Sequence, residues 1–396
     1  MRHFILTEHG LVPREDETEA FLRKSGDKAA GEAAGLEAGE GAPGGALRRG
    51  ARLSRREFLA RGGRALLSLS VLPALLTSSG CRSDVEEAAS ALQEEATVDL
   101  WSIPGLSPEV TPVGDFYTVS KNLWDPTVDA RNWMLEVGGL VHRPYVIGYD
   151  QLTRNGPTVT EYVTLTCISN PVGGLLTGNA RWRGVRMRDL LQAAGVMEGA
   201  VDVVMEAHDE YTDSIPIEKA MHPDTLVVWE MNGAPLTPKH GFPARVIVPG
   251  IYGMKNVKWL RRITVVDYDY KGFWQQRGWS DPAPVKTWSR IDVPRAGRLR
   301  AGGEVVIAGL AYAGDRGVQA VEVSTDGGAT WRPAQLKEPL GPYAWRLWAV
   351  RWTPERGSHR IAVRATDGTG AVQPERRTNV LPDGAEGHHS VSVTAS

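Results

Sequence analysis

Apolar and polar positions alternate in short runs through the middle of the chain, and turn residues separate the runs. Residues 133–137 alternate between turn signals, and residues 162–166 and 246–248 are apolar runs of strand length. Residues 203–216 have the pattern of a strand, a polar turn and a second strand. The pattern predicts a domain supported by β-strands, which we place at residues 108–294.

After Gly297 the pattern changes to short strands separated by turns. These strands are predicted at residues 305–311, 318–324, 345–352 and 359–367. Alternating short strands over about a hundred residues indicate an all-β immunoglobulin-like sandwich, which we place at residues 295–382. We expect residues 383–396 to form a polar, solvated tail that includes His388 and His389.

Residues 1–53 drift into a Gly/Ala/Glu composition, which buries too little apolar surface to offset the ordering of the chain. We expect a disordered N-terminal extension, and translation from a start codon too far upstream is the alternative. Residues 82–107 carry several glutamates, and we expect a helical or flexible linker there.

Two arginines, Arg55 and Arg56, precede an apolar run at residues 65–76. The run is too short to span a bilayer, which needs about 20 apolar residues. The segment at residues 54–81 resembles a twin-arginine export signal, and a basic turn before an amphipathic helix is the alternative. We therefore expect a periplasmic or extracytoplasmic protein. Small residues before Cys81 resemble a lipoprotein processing site, so a lipid anchor at Cys81 stays open.

Composition and charge narrow the class of protein. The chain has 396 residues, of which 42% are hydrophobic and 23% charged, an ordinary globular balance with room for two domains and a tail. The formal net charge of -2 argues against a nucleic-acid partner. Two cysteines cannot build a disulfide framework or a cysteine-rich metal site, and this sequence contains no Cys-x-x-Cys-His haem motif.

Cys167 is the candidate reactive group. It is the one cysteine beyond the N-terminal leader, and it directly follows the apolar run at residues 162–166. A thiol at this point lies where a strand gives way to a loop rich in Gly and Asn, a usual place for a reactive side chain on a rigid support. The alternative, from the residues alone, is a small buried apolar side chain.

The segments around Cys167 resemble the sulfite oxidase and molybdopterin-dependent oxidoreductase family. TLTC at residues 164–167 is followed by ARWRGV at residues 180–185, and then by a helix expected near residues 188–194 that Gly195 ends. The resemblance recurs, in the family's order, through both predicted domains. It implies an α+β fold in which a mixed α/β molybdopterin domain precedes the immunoglobulin-like domain. It also implies that the Cys167 thiolate ligates molybdenum, a role that suits a soft sulfur ligand.

The richest polar block is HGFPARVIVPGIYGMKNVKW at residues 240–259. Cationic and N–H donors that converge on one pocket suit a phosphate-bearing ligand. Arg245 alone is more typical of a structural ion pair, but the complete block closely resembles the family's pterin-binding pattern. The resemblance implies contacts to the pterin and its phosphate from His240, Arg245, Asn256, Val257 and Lys258.

Two earlier segments match the family by position. They imply further cofactor contacts from Tyr117, Thr118, Lys121, Asn122 and Asp209. From the residues alone, Tyr117 is expected in the core, whereas Lys121 and Asn122 favour a polar ligand. His208 and Asp209 are a candidate metal pair, but no third ligand stands at suitable spacing, which argues against zinc.

An aromatic segment at residues 270–285 surrounds Arg277. We expect a loop that lines the mouth of the pocket. The alternative is that the tryptophans in and near it cover the core, namely Trp274, Trp279 and Trp288.

The resemblance implies an exported molybdenum-cofactor oxidoreductase that moves an oxygen atom on a small sulfur-containing substrate. The metal would carry the redox chemistry, while the protein would supply one thiolate, the pterin pocket and the substrate cavity. Electrons would pass singly to a separate cytochrome or membrane haem protein. The C-terminal domain resembles the family's dimerisation domain, which implies a homodimer.

The substrate is less well defined than the cofactor. Sulfite oxidases hold an anionic substrate with arginines, one before the first strand and one after the cysteine. Residues 118–121 and 168–174 occupy those regions here and contain no arginine. Trp279 stands at the position that best matches the family's substrate tyrosine. Sulfite is therefore favoured less than the family name suggests, and reduction of a sulfoxide is an equal contender.

Two other classes of protein remain as alternatives. Cys167 and His240 would suit a cysteine nucleophile with its activating base, as in peptidases and transpeptidases. The chain would otherwise be a non-catalytic exported binding protein whose sandwich recruits a partner. Bound molybdenum and pterin would separate both alternatives from the oxidoreductase.

Overall fold

The computed structural model describes residues 4–7, 10–13, 102–154 and 156–396. The export segment predicted at residues 54–81 and the candidate lipid site at Cys81 lie outside these residues, as does the predicted linker up to residue 101. Among the residues described, no helix is long and apolar enough to cross a bilayer.

Two short strands lie within the extension that was predicted to be disordered. Strand β1, Phe4–Thr7, pairs antiparallel with β2, Gly10–Pro13, and parallel with β3, Val119–Ser120. Phe, Ile and Thr in FILT and Val in GLVP have high β propensity, unlike the residues of the Gly/Ala/Glu run farther along the chain. The prediction of disorder over all of residues 1–53 was therefore wrong at its beginning.

The first domain contains two five-stranded sheets and short helices. Its strands are β4 Met134–Gly139, β5 Tyr145–Gly148, β6 Val159–Thr166, β7 Thr177–Arg186, β8 Asp202–Ala207, β9 Thr212–Pro216, β10 Leu226–Met231, β11 Ala234–Pro235, β12 Arg245–Ile247 and β13 Leu260–Val266. Its α-helices are α1 Tyr149–Arg154, α2 Met187–Ala194 and α3 Ile217–Ala220, and 3-10 helices cover Pro238–His240, Gly253–Lys255 and Gln275–Arg277. One sheet has the order β11-β10-β7-β6, with β12 also paired to β10, and the other has the order β5-β4-β13-β8-β9.

Helix α2 shows how the local sequence sets one of these elements. Met187, Leu191 and Ala194 recur on one face and are buried against the sheet that contains β4. Gly195 ends the helix in the left-handed region at φ 69°, and its N–H bonds to the carbonyls of the last turn. The predicted helix and its glycine stop are confirmed.

The second domain is all-β. Its strands are β14 Trp288–Val293, β15 Gly297–Leu299, β16 Val305–Tyr312, β17 Val318–Ser324, β18 Arg332–Pro333, β19 Gln335–Leu336, β20 Arg346–Trp352, β21 Gly357–Asp367 and β22 His389–Ala395. They form one sheet of order β14-β16-β20-β19 and another of order β15-β22-β21-β17-β18. Trp348, Ile307, Val323 and Val363 form part of the core between them.

The predicted bounds of the second domain need two corrections. Residues 383–396 are not a free polar tail, because β22 pairs along β21 and buries Val393 and Ala395. Polar residues outnumber apolar ones in this segment, but the apolar ones alternate with period two, as in a half-buried strand. At the other end, β14 pairs with β16, so the domain begins before residue 295.

The second domain holds the strand and loop on either side of Cys167. Thr164 in β6 donates its N–H to the carbonyl of Tyr343 at 2.9 Å, and its Oγ1 accepts the N–H of Trp345 at 2.9 Å. Arg290 donates from Nη1 to the carbonyl of Gly174 at 2.9 Å. The position of Cys167 therefore depends on both domains.

Candidate functional site

A cavity opens at the end of β6, and together with its solvent-open mouth it has a volume of about 750 Å³. Its wall is formed by Phe116, Tyr117, Thr118, Val119, Ser120, Lys121, Leu165, Cys167, Ile168, Asp209, Tyr211, Lys239, His240, Arg245, Gly253, Met254, Asn256, Val257, Lys258, Trp259 and Trp274. These residues come from five regions of the sequence that the predictions treated separately. All the predicted site residues lie in this wall except Asn122.

The wall comes together where regular elements end. Cys167 directly follows β6, and Arg245 begins β12. His240 ends one 3-10 helix, while Asn256 follows another. At Gly253 the backbone runs close to the wall, since an added Cβ would lie 2.6 Å from Tyr117 Oη. Strand ends and tight turns thus bring polar groups to the cavity while the strands behind them stay buried.

Cys167 is only 6% exposed, and its exposed part faces the cavity. Its Sγ lies 3.0 Å from Ser169 Oγ, and its N–H donates to the carbonyl of Leu176 at 2.9 Å. Burial raises the pKa of the Cys167 thiol, while the hydrogen bond from Ser169 acts against that rise. A cation beside the sulfur would instead favour the thiolate, which is the form that ligates metals.

His240 is not placed as an activating base for Cys167. Its Nε2 lies 3.0 Å from the carbonyl oxygen of Val113, and because a carbonyl only accepts, Nε2 carries the proton. Burial lowers the pKa of His240 to about 4, so the ring is neutral at pH 7. The hydrogen-bonding partner of Cys167 Sγ is Ser169, and this geometry disfavours the cysteine nucleophile of peptidases.

Arg245 is a buried cation, 5% exposed. Nη1 donates to the carbonyl of His240 at 3.2 Å and Nη2 to that of Asn256 at 3.0 Å, but among the described residues Nε has no hydrogen-bond partner. Within the described residues, no carboxylate lies at ion-pair distance from it, so the structural ion pair is wrong. Burial lowers the pKa of Arg245 to about 10, and a buried charge with an unfilled donor fits an anionic ligand.

Lys258 adds a second cation to the same wall. Its Nζ donates to Ser120 Oγ at 2.8 Å and lies 4.1 Å from the ring centroid of Trp259. Gly241 supports this approach at φ 101°, where an added Cβ would lie 3.0 Å from Cβ of Lys258. Arg245 and Lys258 together suit the phosphate end of a ligand.

Two predicted contacts are engaged with the protein itself. Asn256 Oδ1 accepts the N–H of Val248 at 2.7 Å, and its Nδ2 donates to the carbonyl of Tyr252 at 3.1 Å. Asn122 lies behind the wall, where its Nδ2 donates to the backbone carbonyl of Asp209 at 3.2 Å. Asn122 therefore braces Asp209 behind the wall, and its predicted contact to the cofactor stays a prediction.

The aromatic segment divides between the two roles that were considered for it. Trp274 lines the cavity, whereas Trp279 and Trp288 pack in the aromatic core beneath it. Arg277 stacks on Phe273 at 3.6 Å and bonds to its carbonyl, outside the cavity wall.

Sequence reasoning missed several groups in or beside the wall. Ser169, which bonds to Cys167, and Tyr211, which faces the cavity, were not singled out. Tyr211 stands two residues after Asp209 in the turn between β8 and β9, and that position was an available signal. The described residues contain no group of three His, Cys, Asp or Glu side chains that would hold a metal by themselves.

The chain is similar to known proteins over both of its domains. Residues 122–274 match the model of the oxidoreductase molybdopterin binding domain, and residues 289–395 match that of the Mo-co oxidoreductase dimerisation domain. Sulfite oxidase of Gallus gallus is 33% identical over 314 residues, a match that covers 67% of this chain and 68% of that protein. The chain belongs to the sulfite oxidase family. Mitochondrial sulfite oxidase of Homo sapiens is 34% identical over 315 residues, and this chain spans 57% of its length.

The fold of the sulfite oxidase family is also seen in a solved structure. The sulfane dehydrogenase SoxCD from Paracoccus pantotrophus has a TM-score of 0.64 at 22% identity, covering 83% of this chain and 95% of that chain. The likeness confirms the predicted order of an α+β domain and a β domain. The immunoglobulin-like character of the second domain stays a prediction.

The cofactor of this oxidoreductase family is molybdenum bound by molybdopterin, and the cavity fits it. The orphan Nε of Arg245, together with Lys258, offers charge to a phosphate. Cys167 offers a single soft ligand to the metal, and the remaining ligands would come from the pterin. The assignment of individual cofactor contacts stays a prediction.

Proposed function

We propose that the chain is an exported molybdenum enzyme that moves an oxygen atom on a small sulfur compound. The observation that carries the proposal is that the Cys167 thiol and Arg245 face one cavity in a member of this family. Arg245 pairs with no carboxylate in the part of the chain that the structure describes. The relatives named sulfite oxidase support a sulfur substrate. When bound, the molybdenum cofactor supplies two-electron redox chemistry at the metal.

The protein's own groups divide the work. Arg245, Lys258 and neutral His240 hold the phosphate end of the cofactor by charge and hydrogen bonding. Cys167 binds the metal, and Ser169 steadies the thiolate by donating a hydrogen bond to its sulfur. The apolar faces of Phe116, Ile168 and Trp274 limit the water in the cavity.

The charges of the wall bear on the substrate. In the part of the chain that the structure describes, Arg245 is the one arginine of the wall, and Lys121, Lys239 and Lys258 are its lysines. If Arg245 and Lys258 neutralise the cofactor phosphate, two lysines remain, and each binds as a point charge instead of a fork. A doubly charged anion needs more compensation than this. The wall therefore supports an uncharged sulfoxide over sulfite, even though the relatives' names favour sulfite.

Export, the electron partner and assembly belong to the same proposal. Arg55 and Arg56 support export through a pathway for folded proteins. A separate haem protein would exchange the electrons one at a time. The match of residues 289–395 to a dimerisation domain supports a homodimer.

The test uses protein made in a host that synthesises the cofactor. Molybdenum content and the fluorescence of oxidised pterin establish loading. Steady-state assays then compare methionine sulfoxide, with a reduced dye as donor, against sulfite, with a one-electron acceptor. The matched control is Cys167→Ser. We expect turnover of the sulfoxide and a KM for sulfite well above the micromolar range. A fully loaded enzyme that turns over neither compound would refute the sulfur proposal, and efficient oxidation of micromolar sulfite would refute the interpretation of the charges.

A further inference from the structure

A chain of hydrogen bonds leads from the cavity wall through a buried acid to the surface. The hydroxyl of Tyr211, which lines the cavity, lies 2.8 Å from Oδ2 of Asp213. Oδ1 of Asp213 accepts a hydrogen bond from Nζ of Lys255 at 3.0 Å, and the same Nζ lies 3.3 Å from Oδ1 of Asp281. Asp213 and Lys255 are 0% and 2% exposed, but the side chain of Asp281 is 33% exposed. The chain thus joins the cavity to solvent.

The Tyr211 hydroxyl has one proton and two acceptors. Asp213 Oδ2 lies at 2.8 Å, and the carbonyl oxygen of Met254 lies at 2.9 Å. With Asp213 ionised, Tyr211 donates to the carboxylate. With Asp213 protonated, the carboxyl donates to the Tyr211 oxygen, and Tyr211 donates to Met254. Both arrangements use the same heavy-atom positions, so the Tyr211 hydroxyl needs only to rotate when Asp213 gains or loses a proton.

The groups around Asp213 have opposing effects on the stability of its ionised form. Burial raises the pKa of Asp213, while the ammonium of Lys255 and the N–H of Ser214 act against that rise. Gln275 Nε2 also lies 3.4 Å from Oδ2. Since opposing effects of this kind bring the protonated and ionised forms closer in energy, Asp213 is suited to take up and release a proton.

The groups around Tyr211 and at the outer end complete the chain. Burial and the nearby Asp213 raise the pKa of Tyr211, and Asp209 and Cys167 add to that rise. The Tyr211 hydroxyl therefore does not ionise. It releases one proton as it receives another. At the surface, Lys271 donates to Oδ2 of Asp281 at 2.8 Å.

Oxygen-atom transfer on sulfur requires such a path in either direction. A sulfoxide, two protons and two electrons give a sulfide and water, whereas sulfite and water give sulfate, two protons and two electrons. The electrons are exchanged with the haem partner of the proposed function. We propose that Tyr211, Asp213 and Lys255 carry these protons between the cavity and solvent, an inference that rests on the proposed function.

An inward transfer moves one proton and changes no covalent bond other than those to hydrogen. Lys255 gives a proton to Asp213 and regains one from solvent at the Asp281 end. The proton arrives on Oδ1 of Asp213, and a half-turn of the carboxyl group brings it opposite the Tyr211 oxygen. Asp213 then gives this proton to the Tyr211 oxygen, while the original hydroxyl proton passes to an acceptor in the cavity. Outward transfer reverses the order.

The first test compares Tyr211→Phe with the wild-type holoenzyme. The matched control is Tyr145→Phe, because the Tyr145 hydroxyl also bonds to a carbonyl, that of Leu190 at 2.8 Å, but lies outside the cavity wall. We expect kcat of Tyr211→Phe to fall about 100-fold, in the range of general acid–base effects, with KM unchanged and a larger solvent deuterium isotope effect. Asp213→Asn should show the same loss, and Tyr145→Phe should match the wild type.

A second measurement needs no sulfur substrate. The holoenzyme is reduced chemically in a stopped-flow instrument, and a pH indicator follows the uptake of protons. Uptake should slow in Tyr211→Phe and stay unchanged in Tyr145→Phe. If uptake slows only in Tyr211→Phe and the enzyme turns over no sulfur compound, the proton relay through Tyr211, Asp213 and Lys255 stands and the proposed function fails. If sulfur turnover is present but uptake and isotope effect in Tyr211→Phe equal those of the wild type, the relay is wrong. Loss of molybdenum or pterin from Tyr211→Phe would also overturn the relay, because the role would then be structural.

Discussion

Arg245→Met should change the stability of the cofactor-free and the cofactor-loaded protein in opposite directions. Arg245 is 5% exposed. Among the described residues its Nε has no hydrogen-bond partner, and no carboxylate pairs with it. Methionine has a similar reach and no charge, so it removes the buried cation without opening a large cavity.

The magnitudes follow from the contacts of Arg245. Burial lowers its pKa to about 10, a fall that corresponds to about 3 kcal/mol against the charged form. The substitution removes hydrogen bonds to the carbonyls of His240 and Asn256, worth about 1 kcal/mol each. A sulfur–aromatic contact with Trp182 would replace the cation–π contact at 5.2 Å with one of similar size. The cofactor-free variant is therefore expected to be about 1 kcal/mol more stable than the wild type.

In the cofactor-loaded protein, Arg245→Met should instead be destabilising. A charge-assisted hydrogen bond to phosphate contributes about 1.5–3 kcal/mol, and its loss corresponds to roughly 10- to 100-fold weaker binding of the cofactor. Arg245→Met should consequently lose most of its pterin during gel filtration.

Arg290→Met is the matched control. Arg290 is equally buried, but its Nε pairs with Asp292 Oδ1 at 2.7 Å, so the substitution leaves a buried carboxylate unpaired. It should lower the free energy of unfolding by about 3–5 kcal/mol. Urea unfolding of protein from a host without cofactor synthesis gives the stabilities, and pterin fluorescence of protein from a competent host gives retention. An Arg245→Met protein that is markedly less stable than the wild type, or that keeps all its pterin, would refute the reasoning.

Four further outcomes are expected. Cys167→Ser should keep much of its pterin and lose about 1 kcal/mol of unfolding free energy, but it should lose turnover together with the thiolate-to-metal charge-transfer absorption. Unchanged activity and an unchanged spectrum would exclude Cys167 as the metal ligand. Burial lowers the pKa of His389 from 6.5 to about 4, so its stabilising contribution is complete above pH 6.5 and is lost, by up to about 3 kcal/mol, as the pH falls to 4. His389→Gln can still accept the N–H of Ile291, so it should flatten the plot of unfolding free energy against pH between pH 4 and 6.5, and an unchanged slope would contradict this. Arg55→Lys combined with Arg56→Lys should trap the protein inside the cell, and normal export would exclude the twin-arginine pathway. The full-length protein should sediment as a dimer at micromolar concentration, and a monomer would count against the dimerisation role of the second domain.

Local sequence determined much of the framework. The placement of Cys167 at the end of β6 was predictable, because an apolar run followed by Gly and Asn marks the point where a strand becomes a loop. The end of α2 at Gly195 was equally clear, since a left-handed C-terminal residue favours glycine. The block at residues 240–259 also predicted a polar pocket, because its cationic residues cluster within a single short segment.

Only the tertiary structure decided which partner each polar or weakly apolar group meets. Strand β22 is mostly polar in sequence and is ordered by its pairing with β21, a contact that no local pattern encodes. Asn122 and Arg245 have residue types suited to a ligand, but the fold turns Asn122 toward Asp209 and gives Arg245 no carboxylate partner among the described residues. The link from Tyr211 to Lys255 crosses from the β8–β9 turn and β9 to a 3-10 helix more than forty residues away. Hydrogen bonds and ion pairs act over a few ångströms, so these assignments depend on which distant segments pack together.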